Sequence, residues 1–189
     1  MRCFIAIEID EEVKKAVQDL IDQLRSTGGD VRWVRPEGMH ITLKFLGEIE
    51  DRLVNTIKNI LKKIGENHSV FSLTLAGTGV FPDYSRPRVL WVGIRGNGEL
   101  QSLYEDIEEA MLNLGFKKET RGFNPHVTLG RIKSLRELKE TLACLRRYRG
   151  HNFGKIDVKG ISLMKSTLKP TGAVYERIFT APLKRRRDE

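Results

Sequence analysis

The sequence predicts an α+β fold of two pseudo-symmetric lobes from an internal duplication, each a mainly antiparallel sheet with helices on its outer face and a groove between them. Three observations carry that expectation. His40-Ile41-Thr42-Leu43 returns as His126-Val127-Thr128-Leu129. Segments with strand-like alternation are interleaved with stripes at helical spacing. The order strand, helix, His strand, helix, strand occurs twice at an offset of about 85 residues, which is the mark of a repeat rather than of a chance tetrapeptide.

Cys3 to Ile9 alternates as a strand, and Asp10 is placed to cap a helix whose Val13, Val17, Leu20, Ile21 and Leu24 share one face before Gly28-Gly29 stops it. Val31 to Val34 and His40 to Phe45 read as extended, separated by the turn Pro36-Glu37-Gly38. Leu53, Val54, Ile57, Ile60, Leu61 and Ile64 mark a second helix, and Phe71, Leu73 and Leu75 a strand. The pattern restarts with a strand over Arg88 to Ile94 and a helix carrying Leu100, Leu103, Tyr104, Ile107, Met111 and Leu114, ended by Gly115. After the second His strand, Ser134-Leu135-Arg136-Glu137 has the form of a capping box opening a helix with Leu138, Leu142 and Leu145. Phe153 to Val158 is extended, and Ile161 to Lys165 with Val174 to Thr180 make a closing hairpin around Lys169-Pro170-Thr171-Gly172.

These elements make one two-lobed domain over residues 1–183, the lobes being the approximate repeats 1–85 and 86–170, with the hairpin near 161–180 and a mobile basic tail over 184–189. The net charge of +8 and isoelectric point near 9.6 favour an anionic partner, nucleic acid first. Two cysteines, Cys3 and Cys144, are too few for a disulfide framework or a cysteine-based zinc site, which points to a reducing cytoplasm. An acid at Glu8 interrupts the opening apolar run too early for a signal peptide, and no run approaches a membrane span.

On an ideal strand His40, Thr42 and Lys44 face one way, and Ile41, Leu43 and Phe45 the other; His126 and Thr128 likewise oppose Val127 and Leu129. The apolar sides want a core and the polar sides a cleft. Two imidazoles offered by related strands form a candidate acid/base pair, because histidine titrates nearest neutrality. The hydroxyls of Thr42 and Thr128 can donate to phosphate oxygens from the same faces. Lys44 is either a contributor to the cleft potential or a solvent-facing lysine. His68 and His151 read as surface-loop histidines, and Phe45, Phe123, Tyr175 and Trp91 as core aromatics that could otherwise stack on a base.

The paired His-x-Thr strands resemble the two-histidine phosphoesterase superfamily, and more finely its RNA 2',3'-cyclic phosphodiesterase branch, also called 2'-5' RNA ligase. The resemblance extends to Arg2-Cys3-Phe4-Ile5-Ala6-Ile7, Lys44-Phe45-Leu46-Gly47, Asn124-Pro125, Gly130-Arg131 and Ser166-Thr167-Leu168-Lys169-Pro170-Thr171-Gly172-Ala173-Val174-Tyr175, and so covers nearly the whole chain. It implies that His40 is the proton donor to the leaving O3', His126 the acceptor that activates water, and the product a 2'-phosphate, with 2'-5' ligation as the reverse chemistry. It also implies that Arg131 grips phosphate, although ideal alternation would put Arg131 on the Val127/Leu129 side, so that a bend must turn it into the groove. The expected partners are RNA with 2',3'-cyclic phosphate ends, tRNA fragments and nucleotides among them, bound by a monomer that needs no cofactor and no metal. Three other readings compete: a zinc hydrolase, for which neither motif supplies enough ligands; a noncatalytic RNA-binding module; and the same chemistry on a small cyclic nucleotide or 2'-5' oligonucleotide. A bell-shaped rate profile near neutrality is expected of the histidine pair.

Overall fold

The computed structural model describes residues 1–96 and 98–187. Within them, nine strands form one sheet: β1 (Arg2–Glu8), β2 (Val31–Trp33), β3 (His40–Glu48), β4 (Phe71–Phe81), β5 (Val89–Arg95), β6 (His126–Ile132), β7 (Asn152–Val158), β8 (Gly160–Lys169) and β9 (Gly172–Pro182). The helices are α1 (Glu11–Arg25), α2 (Asp51–Asn67), α3 (Gly98–Asn113) and α4 (Leu138–Arg147). Strands run in the order β7-β4-β5-β6-β3-β1-β8-β9, every neighbouring pair antiparallel, with β2 added to β6. The two lobes meet where β3 touches β6, through the single opposed pair Ile41 and Val127.

The helical stripes are buried as their spacing demands. Val13, Val17, Leu20, Ile21 and Leu24 of α1, Ile57, Leu61 and Ile64 of α2, and Leu100, Leu103, Ile107 and Met111 of α3 join Ile41, Leu43, Val127 and Leu129 in one core continuous across both lobes. Burying a Leu or Ile side chain contributes about 1.5–3 kcal/mol. The helices therefore hold one face of the sheet and leave the other to the histidines.

The lobes are not the contiguous halves 1–85 and 86–170. Strand β4, from the first repeat, lies between β5 and β7, whereas β8, from the second, lies on β1. Helix α1 packs on β7 and α4, and α2 on β8, β9 and α3. The physical reason is the short connection between β4 and β5, which makes antiparallel neighbours of consecutive strands. Each repeat thus completes the other's lobe, a relation that sequence periodicity cannot express.

Three local expectations change. Asp10 stands at the N-cap of α1, but its side chain makes no capping bond and instead lies 3.5 Å from the amide of Asp157. Ser134 does not open α4; its hydroxyl donates to Asp30 at 2.6 Å, and the helix starts four residues later, after Glu137 in left-handed geometry (φ 52°). The basic end is fastened rather than mobile: Lys184 bridges to Ser69, the Val70 amide donates to the Lys184 carbonyl at 2.9 Å, and Arg186 pairs with Glu99 at 3.1 Å. Asp188 and Glu189, the last residues of that expected tail, lie outside the described residues. Within the described residues no helix is long and apolar enough to cross a membrane.

Candidate active site

A bulge in each His strand reshapes the faces that ideal alternation assigns. On β3, Ala6 faces Thr42 and Ile5 faces Lys44, so Leu43 has no partner of its own. An extra residue reverses the parity beyond it. Lys44 therefore turns into the core beside Ile5, its side chain 5% exposed, while Phe45 turns out to the His40 side and is 68% exposed. Both placements correct the sequence expectation. On β6, Trp91 faces Thr128 and Leu90 faces Gly130, leaving Leu129 as the extra residue. Arg131 is thereby swung onto the His126 and Thr128 face, opposite Val89. The duplication repeats the distortion as well as the motif.

Because Ile41 and Val127 are paired across the seam with their side chains in the core, the flanking His40, Thr42, His126 and Thr128 all lie on the opposite face, at the junction of the lobes. The rings of Phe4 (4.7 Å between centroids) and Tyr175 (5.2 Å, edge-on) enclose His40, and Phe81 (4.9 Å, edge-on) flanks His126. Phe4, Ala6, Met164 and Tyr175 form a small second apolar cluster beneath this side. Trp91 lies over Gly79, where any Cβ would collide with its indole, and it stacks near Phe81 at 5.1 Å. Phe123 is stacked on Tyr104 at 3.9 Å, its planes 3° apart.

Burial above all, together with the charge of Lys14 and a smaller contribution from His126, and against the opposing Glu8, brings His40 down to about 4. Burial also lowers His126, the carbonyl of Asn124 opposes, and Arg131 adds to the depression. That carbonyl lies 2.7 Å from His126 Nδ1, so Nδ1 carries the hydrogen and the Nε2 lone pair is left available. Stability follows from the same shifts. The folded protein keeps His40 neutral where the unfolded chain begins to take a proton, near 6.5, so the stability is full above that pH and is lost as pH falls towards 4. We expect the urea midpoint to fall across this window, at up to about 1.4 kcal/mol per pH unit for one group, and the slope to flatten in His40→Gln.

Sequence reasoning missed Arg32 and Glu108, and it misplaced Lys44 and His68. Arg32 sits opposite Arg131 on β2, between the inward Val31 and Trp33, and adds a second guanidinium to the His126 side of the groove. The alternation of Val31-Arg32-Trp33 was the available signal. Lys44 Nζ lies 2.8 Å from Glu108 on α3 and donates to the Lys117 carbonyl at 2.7 Å, making a buried ion pair under the His40 strand. His68, read as a surface residue, contacts Asp106 at 2.6 Å. His151 sits edge-on to Tyr148 and Phe153. Cavities of about 420 and 470 Å³ occur elsewhere, one at Asn67 to Phe71 and Arg186, the other beneath Tyr104 and Phe123, and neither is lined by His40 or His126. Among the described residues no cluster of three His, Cys, Asp or Glu could hold a metal ion.

The chain matches the LigT-like phosphoesterase family twice, over residues 7–91 and 92–175, once per repeat. It is similar to the RNA 2',3'-cyclic phosphodiesterase of Archaeoglobus fulgidus, 34% identical over 181 residues, which is 95% of this chain and 99% of that protein. The RNA 2',3'-cyclic phosphodiesterase of Methanocaldococcus jannaschii is 36% identical over 178 residues, 94% of this chain and 98% of the other. The crystal structure of a Thermus thermophilus protein superposes with a TM-score of 0.85 at 28% identity, over 99% of this chain and 100% of that one. E. coli LigT complexed with 3'-AMP shares the fold, with a TM-score of 0.76 at 22% identity, over 96% and 97% of the two chains.

Proposed function

The chain belongs to the LigT-like phosphoesterase family, and from that membership we propose that it opens 2',3'-cyclic phosphate ends of RNA to 2'-phosphates by moving protons through His40 and His126. It is an RNA 2',3'-cyclic phosphodiesterase. The observation that best supports the mechanism is the Ile41–Val127 seam, with both His-x-Thr faces on one side of it.

Water gives a proton to His126 Nε2 as its oxygen attacks phosphorus; the P–O3' bond breaks, and O3' takes a proton from His40. The Nδ1 hydrogen bond to Asn124 fits His126 to the role of base. Thr42 and Thr128 donate to the nonbridging oxygens, and Arg131, with Arg32 beside it, offsets their growing charge. Phe45 offers an exposed ring on the His40 side for a base to stack on. With a ribose 5'-hydroxyl in the place of water the same steps, run in the same sense, give a 2'-5' linkage and a free 3'-hydroxyl; cleavage of that linkage would run them backwards. tRNA fragments and small nucleotides carrying such ends fall within this reading, and the working unit is a monomer.

His40 is neutral near pH 7 in the free protein, so the proton it donates must be restored by the charge of a bound phosphate. The active free form holds one proton between two imidazoles, both of which are depressed. The kcat/KM profile is therefore expected to be a bell with its optimum on the acid side of 6.5, and the kcat profile to lie at higher pH. Coincident optima at or above neutrality would contradict it.

The deciding experiment is incubation of a defined oligonucleotide ending in a 2',3'-cyclic phosphate with the protein and a chelator. A 2'-phosphate end is expected. A 3'-phosphate end, or turnover that vanishes on chelation and returns with zinc, would overturn the mechanism.

A further inference from the structure

The segments that lead into the two histidines are held in different ways. The one before His40 contains β2, which pairs with β6: Val31 faces Ile132, Trp33 faces Gly130, and the Val34 amide donates to the Leu129 carbonyl at 2.9 Å. The first histidine is thus anchored to the strand of the second. The segment before His126, residues 114–125, contains no strand. At the positions equivalent to Val31 and Trp33 stand Lys117 and Glu119.

Those two residues are the ones gripped from below. Lys44, on the His40 strand, donates to the Lys117 carbonyl at 2.7 Å and pairs with Glu108 at 2.8 Å, while the other Glu108 oxygen accepts the Glu119 amide at 3.0 Å. The bulge does not itself require a lysine, because its counterpart at the second bulge is Gly130. A long charged side chain in a core is costly unless it is paired, and here it reaches the one segment that lacks a ladder. The same segment continues through Phe123, stacked on Tyr104, to Asn124, whose carbonyl holds His126 Nδ1.

Resting on the reading of His126 as the base, we propose that Lys44 and Glu108 are positioning residues: their ion pair clamps Lys117 and Glu119, and so sets the carbonyl that fixes the His126 tautomer. The clamp replaces in side chains what β2 does in backbone, and it closes a reciprocal arrangement in which each His strand secures the approach to the other.

The test is a Lys44→Met, Glu108→Met double variant of the full chain, which exchanges the pair for apolar side chains of similar length, compared with the parent by ¹⁵N NMR of the imidazoles and by turnover of a cyclic-phosphate oligonucleotide. In a variant that still melts cooperatively, the His126 ring should pass from the Nδ1–H form to a mixture of tautomers. Turnover should fall by about tenfold or more in kcat, with KM held within about twofold, while the His40 resonances stay in place. Glu108→Gln, which keeps an acceptor for the Glu119 amide, should move both readouts the same way by less, and it decides alone where the double variant does not fold. Folded variants with the parental tautomer and kcat sink the clamp. An inactive parent whose His126 tautomer still shifts in the variants sinks the phosphodiesterase reading and leaves the clamp standing.

Discussion

Replacing His40 or His126 by alanine lowers kcat on a 2',3'-cyclic phosphate end by about 10²–10⁴ each, the usual contribution of a positioned acid or base. The double variant falls little below the worse single one, because a proton accepted without a proton delivered completes no turnover. The melting temperature separates this loss from damage to the fold. Both rings lie on the open side of the sheet, and neither belongs to the main core, so the alanine variants should melt near the parent. His40→Ala removes contacts with Phe4 and Tyr175 and should show the larger change of the two. Two single losses that multiply in the double variant would mean independent contributions to binding, and the paired proton transfer would have to be abandoned.

The parts of this fold that repeat were legible in the sequence, and the parts that depend on one repeat meeting the other were not. Helix faces such as Val13, Val17, Leu20, Ile21 and Leu24 follow from spacing alone, since a stripe with no core to bury it has no reason to exist. The His and Thr faces followed from strand parity as far as Leu43 and Leu129. Beyond them parity failed at Lys44 and Phe45, and the same kind of bulge supplied the turn that Arg131 needed. A bulge costs one residue of register and leaves no compositional trace, so a pattern read two residues at a time passes through it unaware. The exchange of β4 and β8 between lobes was hidden for a different reason: an apolar run marks a strand but not its neighbour, and partner choice lies in the connections. The end at Lys184 to Arg187 looked free because its charge suits solvent, yet its backbone completes an edge at Ser69 and Val70.

Lys44→Met alone is expected to destabilise the protein more than any surface substitution, by about 3–5 kcal/mol, because it leaves the Glu108 carboxylate buried without its cation. With Glu108 only 7% exposed, water cannot easily take the place of the ammonium, and the group must either acquire a proton or open the packing of α3 against β3. At this chain length each kcal/mol corresponds to about 2–4 °C in melting temperature, which puts the variant about 10 °C below the parent. Adding Glu108→Met should recover most of that loss, since apolar groups of matching volume need no partner. Measured by urea unfolding, the pair of variants separates two roles that one substitution would confuse. A large loss on Lys44→Met with recovery in the double variant assigns the cost to the orphaned charge. A loss that persists undiminished in the double variant assigns it instead to the contacts with Lys117 and Glu119, and makes the clamp a principal support of the fold. If Lys44→Met leaves the midpoint unchanged, the ion pair contributes nothing in solution, and the inward turn of Lys44 after the bulge has to be explained by packing of its methylene stem alone.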